Sequence, residues 1–378
     1  MKRTLVRLML VPLLLLAGGC WDMHEIQNIS YVTALGVDYE KGEFTAYAQL
    51  IDFASIAKQE GGRKPGPTLV WVGKGKGKTL NLAMNDLYKT AQGRIMWSQL
   101  TLIVLGENVL KQGISTFKDA ISRYREIRFT PWMFGTKMPI EELFVVPAFF
   151  ELTPLSTLSH NPKETYNQHS RVVPVRYVTM LSDLREPSKT MTLPSLDIMP
   201  DQWEKNGKPE TKMYIDGVFA IHREKLLGWL DNDRLSGLRW MTSQTSRTPL
   251  LIEEEGELLA VLSMEDPRIH VNDYKENGRY FYKIKLSIEA NLVEQVASSD
   301  EEKLKEIAEK LIREEIERTF RSGIAMKADL YQLEYYTYKS HYKDWKRMGA
   351  KGFPLRKDSI TDVEVSVRIR HAGMIRAT

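Results

Sequence analysis

The feature that most constrains the chain is its one cysteine and the place where it stands. Cys20 closes the segment MKRTLVRLMLVPLLLLAGGC, in which Lys2, Arg3 and Arg7 make a positive start and Leu8 to Leu16 an apolar run. A run that short does not cross ~30 Å of hydrocarbon, for which a helix needs ~20 residues. Its flanks are those of a secretory signal. The small residues Ala17, Gly18 and Gly19 let a peptidase reach the backbone, and the Cys20 thiol can then accept a diacylglyceryl group; Ala17 stands where lipoboxes usually carry Leu. The expectation is a cleaved lipoprotein signal peptide over residues 1–19 and a mature chain held to membrane lipid through Cys20. An ordinary secreted protein with an incidental cysteine is the plainer alternative.

One thiol closes no intramolecular disulfide and builds no Cys-based zinc site. The exported part must therefore hold together by packed cores. The 378 residues, 43% hydrophobic and 27% charged, have room for roughly two or three domains. That composition excludes a disordered, collagen-like or multi-span membrane chain. No stretch after the signal is long and apolar enough to span a bilayer, so the expected attachment is by lipid. Losing Lys2, Arg3 and Arg7 brings the formal charge from +4 to near +1, which gives no argument for a nucleic-acid partner.

Along the chain, residues 29–53 read as two strands turning at Tyr39-Glu40-Lys41-Gly42, with Phe44, Ala46, Ala48 and Leu50 on one half-buried face. Residues 58–67 read as a loop, 68–72 as a strand, 79–91 as a helix and 100–106 as a strand. One helix is expected over 108–126, with Val109, Leu110, Ile114, Phe117, Ile121 and Tyr124 on its apolar face. A strand follows at 127–134, and this alternation argues for an α/β layer. Pro187, Pro194, Pro200 and Pro209 mark a domain boundary. A hairpin over 213–230 then leads into a short helix capped by Asp231 or Asn232. Strands are expected at 258–264, 283–292 and 362–370. A helix is expected at 300–322, opened by a Ser299/Glu302 capping box and stopped by Gly323. The domain reading is 20–190, 191–262 and 263–378.

Chemistry is harder to find. GKGKGKT at 73–79 invites a phosphate-loop reading, but the glycine that the motif needs five residues before Gly77 is Val72. A basic turn is the simpler reading, with Lys74, Lys76 and Lys78 as candidates for contact with anionic lipid. The seven histidines show no metal-binding spacing, and no G-x-S-x-G elbow is present. Glu253-Glu254-Glu255 reads as a solvated turn, and Trp229, Trp240 and Trp345 as core. The residues alone give no catalytic, cofactor-binding or metal site, and the expectation is a protein that is not an enzyme.

The mature start CWDMHEIQNISYVTALGVDYEKGEF resembles the opening of the Ger(x)C spore germination lipoproteins, with Cys20, Trp21, Asp22 and the Val32–Asp38 strand in matching places. The resemblance continues through WSQLTLIVLGENVLKQGI and REIRFTPWMFG. It returns at Leu227, Gly228, Trp229, Leu230, Asp231, Gly237, Leu238 and Trp240, and again at Trp345, Lys346, Arg368, Arg370 and Gly373. It implies a mixed α/β (α+β) fold of three domains, each a mixed sheet packed with helices. It also implies a non-enzymatic C subunit of a nutrient germinant receptor, on the outer face of the spore inner membrane. The implied partners are a polytopic A subunit and a transporter-like B subunit. Two other classes compete: a solute-binding lipoprotein delivering a small ligand to a transporter, which would need two similar lobes, and a cell-wall hydrolase, for which no catalytic constellation is seen.

Overall fold

The computed structural model describes residues 29–51, 69–349 and 354–370. Cys20, Trp21, Asp22, the loop expected at 58–67 and Gly373 lie outside the described residues. The chain is a mixed α+β protein built on two sheets, with a two-stranded hairpin inserted in sequence between two strands of the larger one.

The first hairpin pairs β1 (Ile29–Glu40) with β2 (Glu43–Ile51). Its turn residues Lys41 and Gly42 take φ of 52° and 87°. Two positive φ values are what a two-residue turn matching the strand twist requires. The strand β2 is covered on both faces. Phe44, Ala46 and Ala48 enter one core, Tyr47 the opposite one, and Thr45 and Gln49 are buried too.

The whole GKGKG segment lies in β3 (Val70–Gly77), paired antiparallel with β2, so the basic turn expected there is an edge strand. Its alternating glycines are a packing device. The helix α1 (Leu80–Asp86) folds straight back onto this strand, capped by Thr79, whose Oγ1 accepts from the Leu82 amide at 3.2 Å. A Cβ on Gly75 would meet the Ala83 carbonyl oxygen at 2.2 Å, and one on Gly77 the Ala83 nitrogen at 2.6 Å. The intervening Lys74 and Lys76 are exposed.

After β4 (Arg94–Met96) and β5 (Leu102–Gly106), the helix expected over 108–126 is two helices, α2 (Glu107–Gln112) and α3 (Ser115–Ser122). Gly113 breaks it with φ of 108°, and the Ile114 amide turns away to the Glu224 carbonyl. The strand expected at 127–134 is β6 (Trp132–Thr136). Then come α4 (Ile140–Phe144), α5 (Pro162–Gln168), β7 (Val175–Arg176), α6 (Tyr177–Arg185) and β8 (Thr190–Met199). A small hairpin, β9 (Glu204–Lys205) with β10 (Lys208–Pro209), precedes β11 (Lys212–His222) and β12 (Lys225–Asp231).

The large sheet has the order β12-β11-β8-β6-β5-β1-β2-β3, with β4 on β1 and β7 on β6. Its centre, β1, β5, β6 and β8, is parallel, and both flanks are antiparallel. Helices α1, α2, α3 and α6 cover one face, and α4 with the chain after it covers the other.

The second sheet is β13 (Thr248–Glu254), β14 (Glu257–Glu276), β15 (Arg279–Gln295) and, last in the chain, β16 (Ile360–Arg370). Between β15 and β16 run α7 (Glu301–Ala325), α8 (Leu333–Ser340) and α9 (Tyr342–Gly349). The inward residues Ile284, Leu286 and Ile288 meet Val363, Val365 and Val367 under α7. The helix α7 brings Leu304, Ala308, Ile312, Ile316 and Phe320 to that core. Full burial of such large aliphatic and aromatic side chains stabilises by roughly 1.5–3 kcal/mol each.

Two expectations about α7 change. Its cap is Asp300, whose Oδ1 accepts from the Lys303 amide at 2.7 Å, and not Ser299. Gly323 lies inside the helix, because the returning chain comes too close for a side chain: a Cβ there would stand 2.6 Å from the Ala328 carbonyl oxygen.

The division into 20–190, 191–262 and 263–378 is not how the sheets divide. The residue-262 boundary falls inside β14, and β8, β11 and β12 continue the large sheet that β6 belongs to. The prolines at 187–209 misled because Pro194 is accommodated in an inner strand, just before the β6 pairing begins at Ser195. Pro194 sits within β8, with its residue register to Val218 of β11 intact.

Candidate functional site

Of the candidate lipid-contacting lysines, Lys74 pairs with Glu141 at 3.2 Å and lies 5.1 Å over the Tyr47 ring, while Lys76 and Lys78 are exposed. Part of the positive character of this stripe is therefore already answered by a carboxylate. Trp240 and Trp345 are buried and Trp229 is half-buried. The acidic run Glu253-Glu254-Glu255 is exposed, its first two residues ending β13 and Glu255 opening the turn to β14.

The joint between the two sheets is held by several buried and part-buried hydrogen bonds. The strand β11 alternates between their cores: Phe219 and Ile221 face the helix-covered side of the large sheet, Val218 and Ala220 the core of the second sheet. The chain after β12 then lies across α7. The Gly237 amide donates to Thr319 Oγ1 at 2.9 Å, and that hydroxyl donates to the Arg234 carbonyl at 2.8 Å. No side chain fits at Gly237, where a Cβ would be 2.4 Å from the Glu315 carbonyl oxygen. Beside it, Arg239 Nη2 donates to both Glu315 carboxylate oxygens at 3.1 and 3.0 Å, and Trp240 Nε1 donates to Glu315 Oε2 at 2.6 Å. Arg239 also donates to Thr248 Oγ1 and the Pro249 carbonyl. Burial pulls its guanidinium below the ordinary value, and the Glu315 charge opposes that pull.

A second fastening joins β8 to the turn before α8. The Thr190 amide donates to Gln332 Oε1 at 3.1 Å, and Gln332 Nε2 donates back to the Thr190 carbonyl. Gln332 holds this with φ of 58°. Next to it, Asp329 Oδ2 accepts from the Glu334 amide at 2.7 Å, and Glu334 Oε1 accepts from Trp345 Nε1 at 2.8 Å. Burial raises the Asp329 carboxyl to about 6 and the Glu334 carboxyl to about 7.

Two hollows open beside the joint. The larger, about 630 Å³, has Phe149, Trp203, Tyr166 and Tyr214 among its walls, together with His169 and Arg171. Phe149 and Trp203 meet edge to face at 4.9 Å. The second, about 430 Å³, also has Arg171 in its wall and adds Ser236, Arg239, Glu315 and Arg318. Burial, with the charges of Arg171 and Arg239, holds His169 below its ordinary value. Among the described residues no group of three His, Cys, Asp or Glu could hold a metal ion. No helix among them is long and apolar enough to cross a membrane.

Sequence reasoning missed the Arg239–Glu315 pair. The available signal was an arginine wedged between Leu238 and Trp240 in an apolar run, where an unpartnered charge is rarely buried.

A large mixed sheet keyed to a smaller one through a shared hairpin defines an α+β scaffold with clefts at its joint. Two family models match it in order: the spore germination protein N-terminal domain over residues 22–198, and the spore germination B3/GerAC-like C-terminal domain over residues 216–373. The chain belongs to the Ger(x)C family, the C-subunit type of germinant receptor protein that takes part in spore germination. It is similar to spore germination protein KC of Bacillus subtilis (strain 168), 22% identical over 373 residues, covering 92% of this chain and 90% of that one. It is similar to the putative spore germination protein YfkR of the same organism, 20% identical over 299 residues, covering 78% and 76%. Its fold is similar to the crystal structure of the GerBC protein, with a TM-score of 0.55 at 15% identity, covering 91% of this chain and 99% of that one. The gap between the two family matches, residues 199–215, falls between β8 and β11, which are neighbours in one sheet.

Proposed function

We propose that this chain is the lipid-anchored C subunit of a nutrient germinant receptor. In this reading the diacylglyceryl group on Cys20 holds it on the outer face of the spore inner membrane, where it assembles with a polytopic A subunit and a transporter-like B subunit. The observation that carries the reading is the ordered pair of germination family matches, which begins just after Cys20 and runs nearly to the end of the chain. A diacylglyceryl group supplies two acyl chains, enough for stable anchoring where one chain binds only marginally. Anchoring raises the effective concentration of the folded part beside its membrane partners. Any effect on receptor output requires that it contact two receptor states differently, and the double-fastened joint is an element through which such a difference can act.

The competing reading as a solute-binding lipoprotein needs two similar lobes. The two sheets differ in strand number and in topology, which favours the receptor reading. Replacing Cys20 with Ala tests the anchor. The expected result is release of the protein from spore membranes together with impaired nutrient germination. Full membrane retention of that variant would contradict the anchoring claim.

A further inference from the structure

We propose that the hollow walled by Arg171, Arg239 and Arg318 is a binding site for an oxyanion, the carboxylate or phosphate group of a small ligand. At about 430 Å³ it lies within the range of small-molecule sites, roughly 300–1,000 Å³. Its cationic character is not balanced from within. Glu315, in its wall, gives both carboxylate oxygens to Arg239 and Trp240. That leaves Arg171 and Arg318 against the exposed Asp233 at the rim, and among the described residues neither arginine has an ion-pair partner.

Two further observations point the same way. The Arg171 guanidinium is oriented by its own Nε, which donates to His169 Nε2 at 2.8 Å and leaves both terminal nitrogens for another acceptor. Arg171 also stands close enough for its charge to oppose the protonated form of Arg239, and both charges oppose that of His169. Such crowding of like charge is relieved when an anion enters. Guanidinium forks match carboxylate and phosphate oxygens geometrically, and a serine hydroxyl adds a further donor.

The test uses the full chain purified in detergent, titrated separately with sodium phosphate and sodium acetate at an ionic strength held constant with sodium chloride. Calorimetry reads binding, and tryptophan fluorescence reports on Trp240, whose indole contacts the same Glu315. The expected result is saturable, one-site binding of at least one of the two ions. Arg171→Gln and Arg318→Gln should each weaken it about tenfold or more, as loss of a charged hydrogen bond implies. Lys41→Gln, in the distant β1–β2 turn, should leave it unchanged. Arg171 and Arg318 are both exposed, so these variants keep the wild-type melting midpoint. Competition by phosphatidylglycerol vesicles against free phosphate would assign the oxyanion to a lipid headgroup, and its absence to a soluble ligand; the site stands in both cases. An absence of saturable binding, an equal response to chloride, or unchanged affinity in both arginine variants would overturn the proposal.

Discussion

Replacing Glu315 with Ala removes the carboxylate that, among the described residues, pairs with the nearly buried Arg239 guanidinium. The Arg239 side chain is 9% exposed and that of Glu315 17%. This is not a surface pair, for which ~0–1 kcal/mol would be expected. Breaking a buried pair from one side costs roughly 3–5 kcal/mol, because the remaining charge is stranded. Arg239 keeps its bonds to Thr248 Oγ1 and the Pro249 carbonyl, which moderates the loss. Trp240 Nε1 loses its acceptor, and an unsatisfied buried donor adds ~1–3 kcal/mol. The net expectation is a loss of about 4 kcal/mol, close to a thousandfold in the folding equilibrium at ~1.4 kcal/mol per decade. Urea unfolding followed by tryptophan fluorescence measures it. In the double variant Arg239→Met with Glu315→Leu, the part of the loss due to the stranded charge should be recovered, since an apolar pair of similar volume leaves none, while the Trp240 donor stays unpaired. A single-variant loss below about 1 kcal/mol, or a double variant as unstable as the single, would refute the reasoning.

Three other outcomes follow from the structure. Gly75→Ala should lower stability by ~1–3 kcal/mol or more, because the added methyl would stand 2.2 Å from the Ala83 carbonyl and push α1 off β3; a melting midpoint equal to wild type would contradict the packing role. His160 is buried, with Nδ1 against Thr101 Oγ1 and Nε2 against Gln49 Oε1, and burial lowers it from 6.5 to about 3. Between those values the unfolded chain binds the proton that the folded chain refuses, so stability falls as pH drops below 6.5; His160→Gln should flatten that limb in urea midpoints taken from pH 7 to pH 4, and parallel curves would contradict it. Asp329 acts in the opposite sense. Its carboxyl rises from 3.8 to about 6, so the folded chain keeps a proton that the unfolded chain loses, and the resulting destabilisation is absent below 3.8 and complete above about 6. Asp329→Asn should therefore gain stability relative to wild type at pH 7 compared with pH 4, and an equal difference at both would argue against a buried charge there.

Much of the fold was legible because the local signals agreed with it. The β1–β2 hairpin followed from alternation plus Lys41-Gly42. The β15 face was written in Ile284, Leu286 and Ile288, and the α7 stripe in Leu304, Ala308, Ile312 and Ile316. Other elements were hidden by long-range causes. The length of β14 escaped because its second half is polar and carries Pro267, which a bulge at Glu265–Arg268 accommodates; the Asn277-Gly278 turn that follows, with φ of 49° and 76°, was the unused hairpin signal. GKGKG read as a loop because glycine usually marks one; here the absent side chains make room for a helix on one face of a strand. The sheets do not follow the expected division because β8 pairs with β6, about sixty residues earlier in the chain, and β11 and β12 build onto β8, a pairing that no local pattern encodes. The site followed the same rule. Arg171, Arg239 and Arg318 are far apart in sequence and meet only in the folded joint. The role of Cys20 rests on the sequence alone.

The most direct test of the central claim is gentle detergent extraction of spore membranes, capture through a tag at the C-terminus of this chain, and mass spectrometry of the proteins retained. The account expects a polytopic germination A subunit and a transporter-like B subunit to be recovered with it. Recovery of an ATP-driven permease in their place would contradict the account and make the chain a solute-binding lipoprotein on a germination-family fold.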